Sequence, residues 1–354
     1  MLKWVEITIK RGKEKLMSMK AVAQRVLPAG VFERTKRIVK SVRTYNMAFS
    51  QARRFNKAYA QYDSHEIQQT AAWLTFYAHQ IEKGLSHTNF RYGFGHEPLR
   101  CLKRSMDQYR AVNPSYATSD VYKSALSALH EYATRHEGHE EKLSYARSLF
   151  SEKEWDEILQ ASTEFGGSEI IKGRTKEHNM EIPFSELTKN RHSIREYSDL
   201  PITYEELQPA LELAMRVPSV CNRQPSRVKV ILNKELIEKA LRVQGGFNGY
   251  DVPPALLLIT ADNRVFLSPQ ERNEGFTDGG LFAMSLLLSL EAVGIAACPL
   301  NTMFGPKADK ITRKLLEIPD YENLVMYIAV GHFPEEVRTC CSKRLSAEEI
   351  TTVL

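Results

Sequence analysis

Apolar residues in the first 165 positions recur with the spacing of α-helices. Between Ser64 and Lys83 they follow one another at intervals of three and four residues, which places them on one helix face. Gly84 then supplies a typical helix end. The same spacing predicts helices at residues 98–112, 119–135, 141–150 and 152–162. The N-terminal half is therefore predicted to be helical throughout.

The pattern changes after Pro183. Helices are predicted at residues 184–189, 203–216 and 272–293, and apolar strands at residues 228–232, 255–260 and 324–330. Strands and helices do not alternate strictly, so the predicted class of this half is α+β. Residues 165–181 show no periodicity and contain two adjacent glycines. We therefore predict a helical domain at 1–165, a linker at 166–182 and an α+β domain at 183–354.

The composition is that of an ordinary globular protein, with 43% hydrophobic and 26% charged residues in 354. It excludes wholesale disorder and a disulfide-dense secreted module. No apolar run approaches the roughly 20 residues that cross a bilayer, and the N-terminus lacks the features of a signal peptide. Five cysteines without a C-x-x-C pair or metal-ligand spacing predict a reducing cytoplasmic location and no metal.

Charge is distributed unevenly along the chain. Residues 1–60 contain fifteen Lys and Arg against three Glu, whereas the remainder is acidic. Such a segment is suited to contact with something anionic, such as the inner membrane face or an acidic partner. The alternative is a solvated helical surface. A nucleic-acid partner is not expected, because no recognisable binding module accompanies the charge.

Common catalytic and cofactor motifs are missing from the chain. It has no G-x-G-x-x-G after a strand, no G-x-x-x-x-G-K-[ST], no H-E-x-x-H and no G-x-S-x-G. This argues against a Rossmann dehydrogenase, a P-loop enzyme, a zinc protease and an α/β-hydrolase.

Two segments of the second half carry groups suited to a planar, anionic ligand. Arg191, Ser193 and Arg195 alternate, so an extended backbone would project all three to one side, where they could bind a phosphate. In the second segment, residues 217–226, hydroxyl and amide groups could contact a heterocycle. They belong to Ser219, Asn222 and Gln224. The alternatives are a charged turn and a polar connector.

These segments, together with three later ones, resemble the nitroreductase family of flavoproteins in order and spacing. The resemblance covers about residues 184–354. The matching segments are Arg191–Tyr197, Pro218–Pro225, Asp278–Gly280, Ala297–Thr302, and Gly331–Pro334 followed by Lys343-Arg344.

The resemblance implies FMN as cofactor and assigns roles to individual residues. Arg191, Ser193 and Arg195 would hold the phosphate and ribityl chain, with Lys343 and Arg344 closing on the phosphate. Ser219, Asn222 and Gln224 would contact the flavin from the other subunit of a homodimer. Asn248 would reach the pyrimidine edge. A loop would cover one ring face with Pro299, Leu300, Asn301 and Thr302.

The implied activity is that of an FMN-dependent oxidoreductase. Hydride from NADH or NADPH would be accepted at flavin N5 and passed to a small organic acceptor, with no side chain required as catalytic acid or base. Asn301 departs from the family, whose members often carry an acidic residue there. One alternative is a catalytically idle flavin-fold scaffold docked at the membrane face. Another is an FMN dehydrogenase or oxidase without a nicotinamide step.

The N-terminal half contains a further resemblance. Residues 79–95 are similar to a helical extension on nitroreductase-like proteins linked with bacterial surface-polysaccharide genes. His79 and Lys83 lie four residues apart on one helix face, so together they could present a donor and a cation to a substrate. The alternative is a helix C-terminus whose basic residues complement the helix dipole.

Two expectations concern single residues. Cys221 stands within the segment predicted to contact flavin, and we interpret it as a small buried residue. The helix at 272–293 is apolar on more faces than one domain can cover, which predicts a homodimer interface that includes Leu287.

Overall fold

The computed structural model describes residues 28–61 and 65–354. The basic residues up to Arg25, and Ser64 of the first predicted helix, lie outside this part. The chain divides into two compact units, residues 1–58 with 266–273 and residues 59–265 with 274–354. This division falls after Ala58, which differs from the domain boundary expected near residue 165.

In the first unit, helix α1 (Ala29–Ala58) carries eight Lys and Arg against one Glu. Gln51 accepts hydrogen bonds from Arg272 and Asn273, which follow the short 3₁₀ turn Pro269–Glu271. One stripe of α1 exposes apolar side chains spaced three and four residues apart. They are Ile38, Val42, Tyr45 and Phe49. No helix in the described residues combines the length and apolarity needed to span a membrane.

The second unit begins with the helices predicted from apolar spacing. They are α2 (Ile67–Leu85), α3 (His96–Val112), α4 (Asp120–Thr134), α5 (Glu140–Ser148) and α6 (Glu152–Leu159). Their apolar faces share one core, in which Leu74, Ile81 and Leu99 are fully buried. The helical prediction for this part of the chain is confirmed. We call residues 65–165 the helical region.

The rest of the second unit, residues 166–265 and 274–354, is the sheet region. Its helices are α7 (Phe184–Asn190), α8 (Tyr204–Ala214), α9 (Lys234–Gln244), α10 (Glu274–Ala292), α11 (Pro306–Leu315) and α12 (Ala347–Ile350). Its strands are β1 (Ser168–Lys172), β2 (Ser226–Ile231), β3 (Ala255–Asp262), β4 (Ile295–Asn301), β5 (Glu322–His332) and β6 (Glu336–Cys340).

The sheet explains the apolar runs. Four antiparallel strands follow the order β2-β3-β5-β4, and β1 pairs separately with β6. Every residue of β3 is buried, because α8 and α10 pack on one face of the sheet and α9 and α11 on the other. Sheets with such coverage have strands that read as continuous apolar runs. The predicted α+β class is confirmed.

The expected linker at 166–182 is part of the sheet region. Ser168–Lys172 forms β1, and Lys176 and Asn179 are buried against Glu291 of α10. This strand could not be recognised from the sequence because its partner lies far along the chain: Ser168 pairs with Cys340. A single five-residue edge pairing leaves too weak a periodic signal to recognise.

Helix α10 is apolar on several faces, but Leu287 does not lie on the exposed one. Leu287 is 6% exposed and packs in the core against the sheet, so its expected place in a dimer interface is wrong. Phe276, Leu281 and Met284 are instead about half exposed.

Candidate functional site

A cavity of about 580 Å³ lies in the second unit, lined by α2, the end of α7, the stretch after α7 and the segment after β6. Its lining contains five Lys or Arg and two His, with no Asp or Glu among the described residues. The basic residues are His79, Lys189, Arg191, His192, Arg195, Lys343 and Arg344. A cavity with this lining is suited to an anion.

Three predicted residues reach this cavity through extended backbone. Helix α7 ends at Asn190, and from Arg191 the chain runs extended beside β4, where the Ile194 amide donates to the Ala297 carbonyl at 3.0 Å. Ile194 is fully buried, so Arg191, Ser193 and Arg195 point to the other side and line the cavity.

Lys343 and Arg344 enter the same cavity from the C-terminal end. They follow β6, whose pairing with β1 holds this end of the chain. The Lys343 ammonium lies 5.3 Å from the centre of the Phe165 ring. Arg344 donates to the carbonyl of Ser342, which adopts φ +47° and so turns the chain towards the cavity. Residues almost 150 positions apart thus meet at one place.

The Lys and Arg side chains that line this cavity have no acidic partners among the described residues. Arg191 forms no side-chain hydrogen bond or ion pair within the described residues, and its pKa is lowered by burial and by the nearby Arg344 guanidinium. Among the described residues, Arg195 donates only to the Ser193 carbonyl at 3.2 Å and to the Cys340 thiol at 3.7 Å. Half-buried positive charges are costly without a counter-charge, so the arrangement favours a bound anion.

Helix α2 brings His79, one member of the predicted pair, to this cavity, whereas Lys83 is not among the described residues that line it. His79 lines the cavity, and its Nδ1 lies 3.1 Å from Glu82 Oε2. Glu82 is itself buried and accepts a hydrogen bond from the Gly167 amide at 3.1 Å. Lys83 is half-buried, and burial together with the Arg195 charge lowers its pKa.

His79, Glu82 and Cys340 place their ligand atoms within 4.8 Å of one another, close enough to hold a metal ion. The positive charge of Arg195 opposes such an ion, because its guanidinium donates to the Cys340 sulfur. We therefore assign no metal to this trio.

The turn at 219–224 lies outside the cavity. Its Val220 amide donates to both carboxylate oxygens of Asp278, each at 3.2 Å, which places the turn against α10. Asn222 and Gln224 are exposed, and the Ser219 hydroxyl accepts from the Gln224 amide at 2.9 Å. Cys221 has φ +47° and is exposed, so the expectation of a buried residue is wrong.

The expected ring-covering loop is largely a strand. Pro299, Leu300 and Asn301 belong to β4 at the edge of the sheet, and only Thr302 follows it. The expected loop conformation is wrong for residues 299–301, because a proline at an edge strand does not interrupt pairing. Asn248 is exposed and donates to the Gly245 carbonyl at 3.0 Å. None of these residues lines the cation-rich cavity.

Sequence reasoning missed several residues of the lining. Lys189 could have been found from its place two residues before Arg191, and His192 from its place between Arg191 and Ser193. His192 Nε2 lies 3.1 Å from Glu169 of β1, and its Nδ1 lies 2.8 Å from the Asn190 carbonyl oxygen. Thr188, Met284 and Cys340 carried no signal, because only the tertiary fold brings them to this cavity.

Comparison with known proteins identifies the sheet region. The family model "Nitroreductase family" matches residues 188–248 and 247–332. The FMN reductase (NAD(P)H) of Bacillus subtilis is 28% identical over 161 residues, which span 41% of this chain and 64% of that protein. An NADH dehydrogenase of Thermus thermophilus is 27% identical over 178 residues, covering 41% and 84% of the two chains.

A solved structure of an FMN-dependent nitroreductase from Clostridium difficile is 23% identical to this chain. It covers 46% of this chain and 92% of its own, with a TM-score of 0.38. From the family match, the C-terminal half of the chain contains a nitroreductase family domain. The resemblance stated from the sequence is thereby confirmed for this half.

Proposed function

We propose that the protein is an FMN-dependent oxidoreductase. The observation that carries the proposal is the cavity whose five Lys and Arg face no carboxylate among its described lining residues. The family match and the relatives named FMN reductase and NADH dehydrogenase support this cofactor with NADH or NADPH as hydride donor. When bound, FMN supplies the two-electron chemistry, taking hydride from the nicotinamide and passing electrons to an organic acceptor.

The residues present fit the phosphate end of this cofactor. The positive charge of Arg344 lowers the pKa of Arg191, so a dianion bound between the two guanidiniums would relieve their repulsion. Lys343 would add a flexible point charge, and Ser193 a neutral donor. Arg195, deeper in the cavity, would bind a polar part of the ligand beyond the phosphate. The roles of all five residues are part of the proposal.

We also propose a homodimer with composite sites. Phe276, Leu281 and Met284 of α10 expose apolar surface, and Met284 also lines the cation-rich cavity. The turn at 219–224 lies against the beginning of the same helix. A second copy packed on this surface would bury the apolar side chains and bring its own Ser219, Asn222 and Gln224 towards the cavity. Asn248 and residues 299–302 would complete the ring contacts.

Contact of α1 with an anionic membrane surface is a separate proposal, supported by its eight basic residues and its exposed apolar stripe. Five free cysteines support a reducing cytoplasm. A docked scaffold without activity and an FMN enzyme without a nicotinamide step remain the two alternatives. A role in surface-polysaccharide synthesis stays a prediction.

The deciding experiment has two stages. Apo-protein is titrated with FMN, following the quenching of flavin fluorescence, and the holoprotein is then mixed anaerobically with NADH or NADPH. We expect tight binding and bleaching of the flavin absorbance by at least one nucleotide. Binding without bleaching would favour one of the alternatives, and no binding would overturn the proposal.

A further inference from the structure

Two carboxylates of the helical region hold the segment in which β1 begins. Glu131 of α4 accepts a hydrogen bond from the Ser168 amide at 2.5 Å and another from the Ser168 hydroxyl. Glu82 of α2 accepts from the neighbouring Gly167 amide at 3.1 Å. The Glu131 side chain is 16% exposed and that of Glu82 is 3% exposed, and hydrogen bonds to a charged acceptor are strong in such surroundings. The helical region therefore fixes the beginning of β1.

The two regions approach each other closely at this place. Gly167 has φ +95°, and a Cβ atom there would collide with the Glu131 carboxylate. A Cβ atom at Gly166 would lie 2.7 Å from the Ser124 carbonyl oxygen. Both glycines are required because a side chain would separate α4 from β1. The glycine pair that predicted a linker is thus the point where the helical region contacts the strand.

The same segment positions the two C-terminal cations of the cavity. Strand β1 pairs with β6, and directly after β6 the Cys341 amide donates to the Gly167 carbonyl at 3.0 Å. Lys343 follows two residues later, and its ammonium lies 5.3 Å from the centre of the Phe165 ring, which directly precedes the two glycines. A shift of this segment would therefore displace Lys343 and Arg344.

The cavity needs such anchoring because it brings like charges together. The Arg344 charge lowers the pKa of Arg191, so the segments that carry them repel each other when no anion is bound. Strands β1 and β6 form a separate two-stranded sheet of five residue pairs, which is marginally stable by itself. On its other side β6 is held by the Thr339 hydroxyl, which donates to the Ser193 carbonyl at 3.0 Å. The carboxylates of the helical region secure β1.

We infer that Glu131 is a positioning residue for phosphate binding, because through β1 and β6 it holds Lys343 and Arg344 at the cavity. Among the described residues, Glu131 has no hydrogen bond or ion pair with a residue that lines the cavity, so it acts through the strands. The inference rests on the proposed FMN site. It gives the helical region a role, which is to preorganise the phosphate end of that site.

The test compares two flavins that differ only in the phosphate group, FMN and riboflavin. Apo-protein is titrated with each, and the dissociation constants are measured from the quenching of flavin fluorescence. We expect wild-type protein to bind FMN at least about a hundredfold more tightly than riboflavin, since several charge-assisted contacts reach the phosphate. In Glu131→Ala the affinity for FMN should fall about tenfold, while the affinity for riboflavin should change less than twofold.

Three further variants complete the comparison. Glu131→Gln retains an oxygen for the Ser168 amide and should keep most of the wild-type ratio. Ser168→Ala removes only the hydroxyl that donates to Glu131, so it should lower the ratio by a smaller factor and serves if Glu131→Ala folds poorly. Glu141→Ala, at an exposed glutamate of α5, is the matched control and should keep the wild-type ratio.

Each contrary outcome has its own meaning. A ratio unchanged in both Glu131→Ala and Ser168→Ala would overturn the inference and leave the FMN site standing. An equal loss of affinity for both flavins would show that Glu131 only stabilises the fold, and would overturn it too. Equal affinity of wild-type protein for the two flavins would refute the phosphate assignment and the inference with it. Wild-type protein that binds neither flavin contradicts the proposed function itself.

Discussion

Lys176 Nζ lies 2.6 Å from Glu291 Oε1, and both side chains are almost fully buried. The same ammonium donates to the Asn190 carbonyl at 2.6 Å, directly before Arg191. This ion pair joins the segment after β1 to α10 and to the start of the cation-rich stretch. It therefore holds together the segments on which the candidate site is built.

Removing one member of this pair leaves the other charge buried and unpaired. We expect Lys176→Met to lower the free energy of unfolding by about 3–5 kcal/mol. The double variant Lys176→Met/Glu291→Leu should recover much of this loss, because it buries no unpaired charge. Urea denaturation measures both. A single variant within about 1 kcal/mol of wild type, which is the usual range of an exposed pair, would show that the pair is solvated.

Arg191→Ala should weaken FMN binding without loss of fold. A charge-assisted contact contributes about 1.5–3 kcal/mol, which corresponds to about ten- to a hundredfold in dissociation constant. Arg344→Ala should act in the same direction. Arg242→Ala, an exposed arginine paired with Glu238 on α9, is the matched control and should leave FMN affinity unchanged. Equal titration curves for all four proteins would refute the phosphate assignment.

The exposed face of α10 tests the homodimer. Leu281→Asp and Phe276→Asp place a charge on half-exposed positions, so each monomer should still fold. We expect light scattering to show a shift to monomer together with weaker FMN binding. Leu287→Asp is unsuitable for this purpose because Leu287 belongs to the core. Wild-type protein that is monomeric and binds FMN tightly would exclude the composite site.

Glu154 should make the stability of the helical region depend on pH in the acid range. Partial burial alone would raise the pKa of its carboxyl, but hydrogen bonds from Ser151 and Arg110 outweigh burial and lower that pKa to about 2. The unfolded pKa is about 4.3, so the stabilisation is complete above that pH and is lost as pH falls towards 2. Gln preserves the capping box with Ser151, so Glu154→Gln removes only the charge.

The measurement is the melting temperature of wild type and Glu154→Gln between pH 7 and pH 2.5. We expect wild type to be more stable at pH 7 and the two curves to converge at the acid end. A constant difference over this range would mean that the Glu154 charge contributes nothing.

Cys221 should be the fastest-reacting thiol of the protein. It is exposed, whereas Cys101, Cys298 and Cys340 are buried, and burial raises the pKa of Cys340 to about 11. Since the thiolate is the reactive form, a disulfide reagent such as Ellman's reagent should modify Cys221 first. Cys221→Ser should abolish the fast phase. A fast phase that persists in this variant would show that another cysteine reacts first.

Local patterns were enough to predict much of the architecture. Apolar spacing located α2 to α6, the helix predicted at 203–216 contains α8, and buried strands read as apolar runs. The alternation of Arg191, Ser193 and Arg195 predicted three side chains on one side, and they line one cavity. Each of these features depends on residues close together in sequence, where period and capping chemistry act directly.

Features that depend on contacts between distant parts of the chain could not be predicted from the sequence. The sequence predicts a linker where strand β1 lies, because the strand that pairs with it, β6, is far along the chain. Leu287 and Leu281 are identical residues of one helix, and only the packing of α10 on the sheet decides which of them is buried. In the same way, tertiary structure decided that His79 of the helical region lines one cavity with Arg195 of the sheet region. The sequence determined which charges exist; the fold determined which of them meet without a counter-charge, and that juxtaposition supports an anion site.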